Sequence, residues 1–290
     1  MDLCNISEIK VLLVKHGFRF SKSLGQNFLI ADWVPADIAA SAGLDDQTGV
    51  LEIGPGIGCL TEQLAKRAAK VVAVELDAAL IPVLEETLRD FRNIRVVHGD
   101  ILKMDLDVLF SRFFKDLRPV VCANLPYNIT TPILTSLIDC GLFEQITVMV
   151  QREVAHRMCA PAGSSDYGAF SVYLAYHTEP TLLFEVPPYC FIPAPKVYSA
   201  VVTLRKREKP PVDTDPTALF QVVKIAFSQR RKTLVNCLHA ALPHVPKDVL
   251  TSLLESLGHD PRIRGEVLDL TAFAALTDAL LDAGLLKSYN

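Results

Sequence analysis

Asn124-Leu125-Pro126-Tyr127 is the segment of this chain whose residue types fit one chemistry most closely. Asn124 brings a side-chain carbonyl oxygen, and the backbone carbonyl of Leu125 or Pro126 brings a second acceptor. Two acceptors gripping both hydrogens of an exocyclic amine favour a pyramidal nitrogen. Adenine needs that help, because its amine is a poor nucleophile with a lone pair delocalised into the ring. Held this way, the lone pair can be aimed at an electrophilic methyl, and proximity and alignment supply much of the rate. No charged general base is needed beside the amine, and the motif contains none. Pro126 stiffens the turn, and Tyr127 offers an aromatic face to a base taken out of its stack. The plainer interpretation is a turn that begins a helix at Thr130.

A glycine loop upstream weighs against that interpretation. Glu52-Ile53-Gly54-Pro55-Gly56-Ile57-Gly58 follows an apolar run. Its glycines let the backbone turn sharply and approach a ligand, and the next helix supplies free N–H groups. A dinucleotide fingerprint requires glycine at 59, and that position is Cys59. With a glutamate two residues before its first glycine, the loop resembles the nucleoside-methionine loop of class I methyltransferases more than a pyrophosphate cradle. Glu75 lies 21 residues after Gly54, placed to accept hydrogen bonds from both hydroxyls of a ribose. Asp100, in His98-Gly99-Asp100, is placed to accept one from the cofactor's adenine amine. Either carboxylate alone would read as a surface or capping residue. Together with the loop, on successive strand ends, they point to S-adenosylmethionine as cofactor.

The elements that must position these residues alternate. Residues 50–53, 70–75, 94–98, 119–123 and 146–150 read as strands, with helices over 60–69 and 78–89, from 130 onward, and in the other gaps. Such repeats imply an α/β, Rossmann-like fold whose parallel sheet binds ligands at the strands' carboxyl ends. Residues 181–186 and 197–204 read as strands without a crossover helix between them, an antiparallel pair closing the sheet. A proline-rich polar break over 208–216 follows, then helices over 218–226, 247–257 and 271–285. The expected organisation is a catalytic domain over 1–207, including a basic N-terminal segment, and a smaller all-helical domain over 208–290.

Composition sets outer bounds. Half of the 290 residues are hydrophobic and 21% are charged, enough apolar material for a sizeable core. No apolar stretch reaches spanning length, and the acidic N-terminus does not read as a secretory signal, so a cytoplasmic location is expected. Seven cysteines without a C-x-x-C pair suggest neither a metal site nor a disulfide framework. The net charge of −4 argues mildly against a nucleic-acid partner, but local charge matters more than the sum. Basic residues cluster over 15–22, 205–209 and 230–232, and any one cluster is equally well explained as a solvated face or linker. A second aromatic stands in Phe191-Ile192-Pro193-Ala194-Pro195-Lys196-Val197, where two prolines stiffen the loop. Phe191 is expected to sandwich a target base against Tyr127, although such a residue is more often core. Lys196 is suited equally to phosphate or to solvent.

Five segments together resemble one family: Leu24 to Leu29, Glu52 to Thr61, Asn124 to Tyr127, Phe191 to Val202 and Ala226 to Leu234. They are similar to the ribosomal RNA adenine N6,N6-dimethyltransferases over nearly the whole chain, in particular the small-subunit (16S) branch whose loss gives kasugamycin resistance. The resemblance implies that Asn27 and Leu29 help enclose the cofactor with Gly54, Glu75, Asp100 and Asn124. It implies a substrate of two adjacent adenines near the 3′ end of small-subunit RNA, dimethylated in the immature subunit late in assembly; separately, a monomeric protein is expected. Arg19, Lys22, Lys196, Arg230, Arg231 and Lys232 would then contact RNA. Two positions depart from the family's habit: Tyr198 replaces an acidic residue and Val235 a basic one. The large-subunit (23S) enzyme of the macrolide-resistance type shares the fold and motif, but the acidic net charge favours the small-subunit branch. A nucleic-acid-binding assembly or transcription factor on the same fold is the non-enzymatic alternative, against which the intact Asn124 motif argues.

Overall fold

The structure is a computed structural model and describes residues 1–21 and 25–287. The chain divides into two compact units, Met1–Ala155 with Thr181–Lys206, and His156–Pro180 with Arg207–Asn290. The strands are β1 (Phe28–Leu29), β2 (Thr48–Ile53), β3 (Lys70–Glu75), β4 (Ile94–His98), β5 (Arg118–Asn124), β6 (Gln145–Gln151), β7 (Thr178–Val186), β8 (Phe191–Ile192) and β9 (Ser199–Lys206). The helices are α1 (Ile6–Lys15), α2 (Trp33–Ser41), α3 (Cys59–Ala65), α4 (Ile81–Thr87), α5 (Leu106–Phe113), α6 (Thr130–Asp139), α7 (Arg152–Cys159), α8 (Ala169–His177), α9 (Pro216–Ala226), α10 (Leu234–Ala241), α11 (Lys247–Ser256) and α12 (Leu270–Asp282).

In the first unit one sheet has the order β4-β3-β2-β5-β6-β9-β7. β2 pairs parallel with β3 and β5, β3 with β4, and β5 with β6, whereas β9 is antiparallel to β6. Runs such as Val71-Val72-Ala73-Val74 and Val120-Val121-Cys122-Ala123 are buried throughout. Strands covered on both faces lose polar alternation, and β-branched side chains suit the pleat. The strand order reverses at β2: the chain moves out through β3 and β4, then returns to β5 on β2's other side. Open α/β sheets form ligand crevices at such a reversal, beyond the strands' carboxyl ends. Gly54 follows β2 at that place, and Asn124 ends β5.

The expected strands over 70–75 and 94–98 coincide with β3 and β4, and the others differ by a few residues at their ends. The expected helix over 78–89 is broken into a 3-10 turn, Ala78–Leu80, and α4. Pro82 accounts for the break, since a residue without an N–H is tolerated only in a helix's first turn. The two late strands pair as neighbours and close the sheet: β9 lies between β7 at the edge and β6, to which it is antiparallel with Val201 opposite Met149.

The second unit is helical. Leu219, Val222 and Ala226 on α9, and Phe273, Leu276 and Leu280 on α12, put helical spacing into its core. Asp215, Thr233 and Asp269 cap α9, α10 and α12 by accepting from first-turn N–H groups. Composition suggested one boundary at 207/208, but the structure also assigns 156–180 to this unit. Tyr167, Val172 and Tyr176 enter the helical core, and the Tyr167 hydroxyl donates to the Leu268 carbonyl at 3.0 Å. A composition break marks neighbours along the chain and is blind to an early segment packing with a later one. Among the described residues, no helix is long and apolar enough to cross a membrane.

Gly49, within β2, leaves no room for a side chain: a Cβ would run into the ring of Phe114, itself fully buried. Gly49→Ala is expected to cost about 1–3 kcal/mol by overpacking. Urea denaturation reads this as a lower midpoint at unchanged slope; an unchanged midpoint would refute the tight fit.

Candidate active site

A cavity of ≈ 320 Å³ opens at the sheet reversal, large enough for a small-molecule ligand. Its lining includes Asn27, Leu29, Gly54, Glu75, Asp100, Asn124, Leu125, Pro126 and Tyr127. Gly54, Gly56 and Gly58 all have positive φ, at 69°, 61° and 99°. Glycine is required twice over at Gly56, where a Cβ would also stand 3.1 Å from the Phe28 ring. The loop is anchored by the Gly54 N–H, which donates to the Val74 carbonyl at 2.9 Å.

Glu75 ends β3 almost wholly buried, and its Oε1 accepts from the Asp77 N–H at 2.7 Å. Burial pushes its carboxyl above the usual range, opposed by N–H groups of Asp77, Gly56 and Leu76. Asp100 accepts from the Leu102 N–H at 3.1 Å, capping a 3-10 turn, with Lys103 Nζ 3.5 Å from its other oxygen.

Asn124 is oriented by a long-range contact. Its Nδ2 donates to the Asn27 carbonyl at 3.3 Å, which assigns the amide and leaves Oδ1 as the open acceptor. The next two residues are not equivalent. The Pro126 carbonyl already accepts from the Ile129 N–H at 3.3 Å and the Thr130 hydroxyl at 3.1 Å. No hydrogen bond from the described residues reaches the Leu125 carbonyl, while the Leu125 N–H donates to Met149 at 3.1 Å. Of the two candidate carbonyls, that of Leu125 is the one left open. Tyr127 is held by a 2.6 Å hydrogen bond between its hydroxyl and that of Ser199, and burial raises its pKa.

Phe191 is not brought to this group. It pairs with Leu29 in the short β1–β8 ladder, its ring is 3% exposed within the core, and it does not line the cavity. The expected sandwich of a base between Phe191 and Tyr127 is absent from this arrangement, because the ladder turns the ring inward. At Tyr198, where an acidic residue was expected, the Arg152 guanidinium lies 4.9 Å from the ring centroid and 3.4 Å from the Glu185 carboxylate. Val235 is buried in the helical core and offers nothing to a phosphate. Arg19 and Lys196 are exposed in the first unit, and Arg231 and Lys232 in the second. Arg230 is exposed but engaged, donating to the Ser165 carbonyl at 2.6 Å. Lys22 lies outside the described residues.

Gln26 and Glu52 line the cavity but were not among the candidate site residues. Gln26 links the N-terminal segment to the turn after β3, its Nε2 donating to Asp77 at 2.7 Å. Nothing local signals that contact. Glu52 was visible as the glutamate before the loop, and an acid inside an apolar strand was the available clue. It is 1% exposed, and its Oε2 has no hydrogen-bond partner among the described residues. Burial pushes its carboxyl up to about 8, with Glu75's negative charge adding to the shift and Thr61 opposing it. An orphaned buried oxygen beside a glycine cradle suits a ligand that brings a donor or positive charge.

An acid whose pKa rises on folding, here from 4.5 to about 8, costs stability as pH climbs between those values. The ligand-free protein should therefore melt lower at pH 8.5 than at pH 5.5, and Glu52→Gln should shrink that difference by a few degrees (about 2–4 °C per kcal/mol). Equal pH dependence in both proteins would show that Glu52 is ionised throughout.

Comparison with known proteins agrees with this geometry. The family model described as ribosomal RNA adenine dimethylase matches residues 17–262. Proteins named ribosomal RNA small subunit methyltransferase A are similar over 97% of the chain, at 45% identity in Geobacillus thermodenitrificans and 46% in Bacillus mycoides, covering 97% and 98% of those proteins. Among solved structures, a dimethyladenosine transferase from Plasmodium falciparum superposes with a TM-score of 0.75 at 28% identity, covering 88% of this chain and 98% of that one. The 23S rRNA methyltransferase ErmE gives 0.67 at 27% identity, covering 87% and 99%. With its Asn124 motif and glycine loop on one sheet reversal, the chain belongs to the ribosomal RNA adenine dimethylase family.

Proposed function

We propose that this protein transfers methyl groups from S-adenosylmethionine to N6 of two adjacent adenines near the 3′ end of small-subunit ribosomal RNA, within the immature subunit. The observation that carries the reading is that two consecutive cavity-lining residues, Asn124 and Leu125, keep carbonyl oxygens to which no hydrogen bond from the described residues is made. The cofactor, when bound, supplies an electrophilic methyl on a sulfonium. Glu75 would hold its ribose hydroxyls, Asp100 its adenine amine, and the Gly54 loop its methionine end, with Asn27 and Leu29 closing over them.

The protein's own part is to position and orient. Asn124 and Leu125 accept the two amine hydrogens, drawing the nitrogen's lone pair out of conjugation toward the methyl. Tyr127 stacks on the flipped base, its ring kept from rotating by Ser199. Methylation leaves a positive nitrogen that loses one proton, and two carbonyl acceptors stabilise that charge as it forms. Arg19, Lys22, Lys196, Arg230, Arg231 and Lys232 supply phosphate contacts, with Arg231 and Lys232 free of the carbonyl bond that engages Arg230. The names of the relatives, which specify the small subunit, favour it over the large one.

Asn124→Ala should lower turnover by about a hundredfold or more, as loss of a transition-state hydrogen-bonding group does, while cofactor affinity changes only a few-fold. Normal turnover in that variant would remove the proposed grip. Immature small subunits should be methylated and protein-free large-subunit RNA should not; the reverse result would transfer the protein to the other branch.

A further inference from the structure

We propose that Cys4 and Cys59 form a redox modification site, in which a peroxide-class oxidant joins the two thiols into a disulfide tying the N-terminal segment to the start of α3. Neither residue belongs to the amine-gripping motif, and Cys59 stands where a dinucleotide loop would have its last glycine. Cys59 is the first residue of α3, directly after the glycine loop, and only 6% exposed. Its Sγ donates to the Leu3 carbonyl at 2.8 Å and lies 3.5 Å from that of Leu29. The first of these contacts brings it against the residue preceding Cys4, which packs on the same core cluster.

The two thiols have complementary roles. Cys4 is half-buried, so a small oxidant can reach it. The neighbouring Cys59 thiol is the largest influence on it and holds its thiol below the usual range, while the same neighbour and burial hold the Cys59 thiol well above it. Cys4 is placed by its own N–H, which donates to Asp2 at 2.9 Å just before Asn5 caps α1. Elsewhere burial pushes Cys122, Cys140, Cys159 and Cys190 up, away from the reactive thiolate. The Cys4 thiolate attacks a peroxide oxygen, the O–O bond breaks, and the departing hydroxide takes the proton that Cys4 gave up. Cys59 sulfur then attacks the Cys4 sulfenic acid. Its proton and the hydroxyl leave as water while the S–S bond forms. Both thiols are oxidised, and the peroxide is reduced to two waters.

Consequences for the cavity rest on its reading as the cofactor site. Cys59 and Leu29 both line it. Oxidation removes the S–H that satisfies the Leu3 carbonyl and faces that of Leu29, so the wall beside the glycine loop loses a tether.

The test is brief exposure of the native full chain to hydrogen peroxide, followed by non-reducing peptide mass spectrometry. The tryptic peptides ending at Lys10 and Lys66 should be found joined, and a thiol reductant should separate them. In Cys4→Ala no such link should form. Accumulation of oxidised Cys4 with Cys59 still a free thiol, or faster oxidation of the other cysteines, would overturn the proposal. Calorimetry should find S-adenosylmethionine affinity about three- to tenfold weaker in the linked protein, the scale of one lost hydrogen bond. Cys4→Ala should bind equally before and after peroxide. A link without weaker binding defeats the coupling to the cavity, whereas failure of the reduced protein to bind at all strikes at the cofactor reading instead.

Discussion

The parallel pairing of β2 with β5 is the constraint on which the site depends. Its register sets Glu52 opposite Cys122, so the glycine loop after β2 and Asn124 at the end of β5 emerge together. A parallel strand cannot slip by one residue without exchanging its two faces, and β2 and β5 are buried along nearly their whole lengths. The spacing between the glycine loop and Asn124 is thereby tied to the hydrogen-bond ladder of the core. Flexible loops alone would not hold such a reaction in line.

Around this frame the site carries several unfavourable local choices. Three loop glycines lie in the left-handed region, and Glu52 keeps an unpaired oxygen in an apolar surrounding. Each costs free energy in the ligand-free protein. The surrounding valine-rich sheet offsets them, and a ligand bringing a donor or positive charge would relieve the last. Glu75 shows the milder version, a buried acid already served by nearby N–H groups.

The N-terminal segment deserves equal weight with the sheet. Asn27 orients the Asn124 amide through its backbone carbonyl, Gln26 joins Asp77, and Leu3 accepts from Cys59. These bonds link residues distant in sequence to the cofactor loop and the acceptor motif. Closure of the cavity and orientation of the reacting group are therefore parts of the same set of contacts.

Much of this was legible in the chain itself. Apolar runs separated by amphipathic stretches identified the parallel sheet, because burial on both faces removes alternation. Glycine spacing and the Asn124 tetrapeptide are local, and local backbone chemistry can be read directly. Contacts across the fold were another matter. Only tertiary structure could show that the Pro126 carbonyl is occupied, by Ile129 and Thr130, while that of Leu125 is left open. Only it could turn Phe191 inward, through a ladder with Leu29, or assign 156–180 to the helical unit by burying Tyr167 there. Sequence determines which groups are available and what turns they can make; packing between remote segments decides which way each one faces.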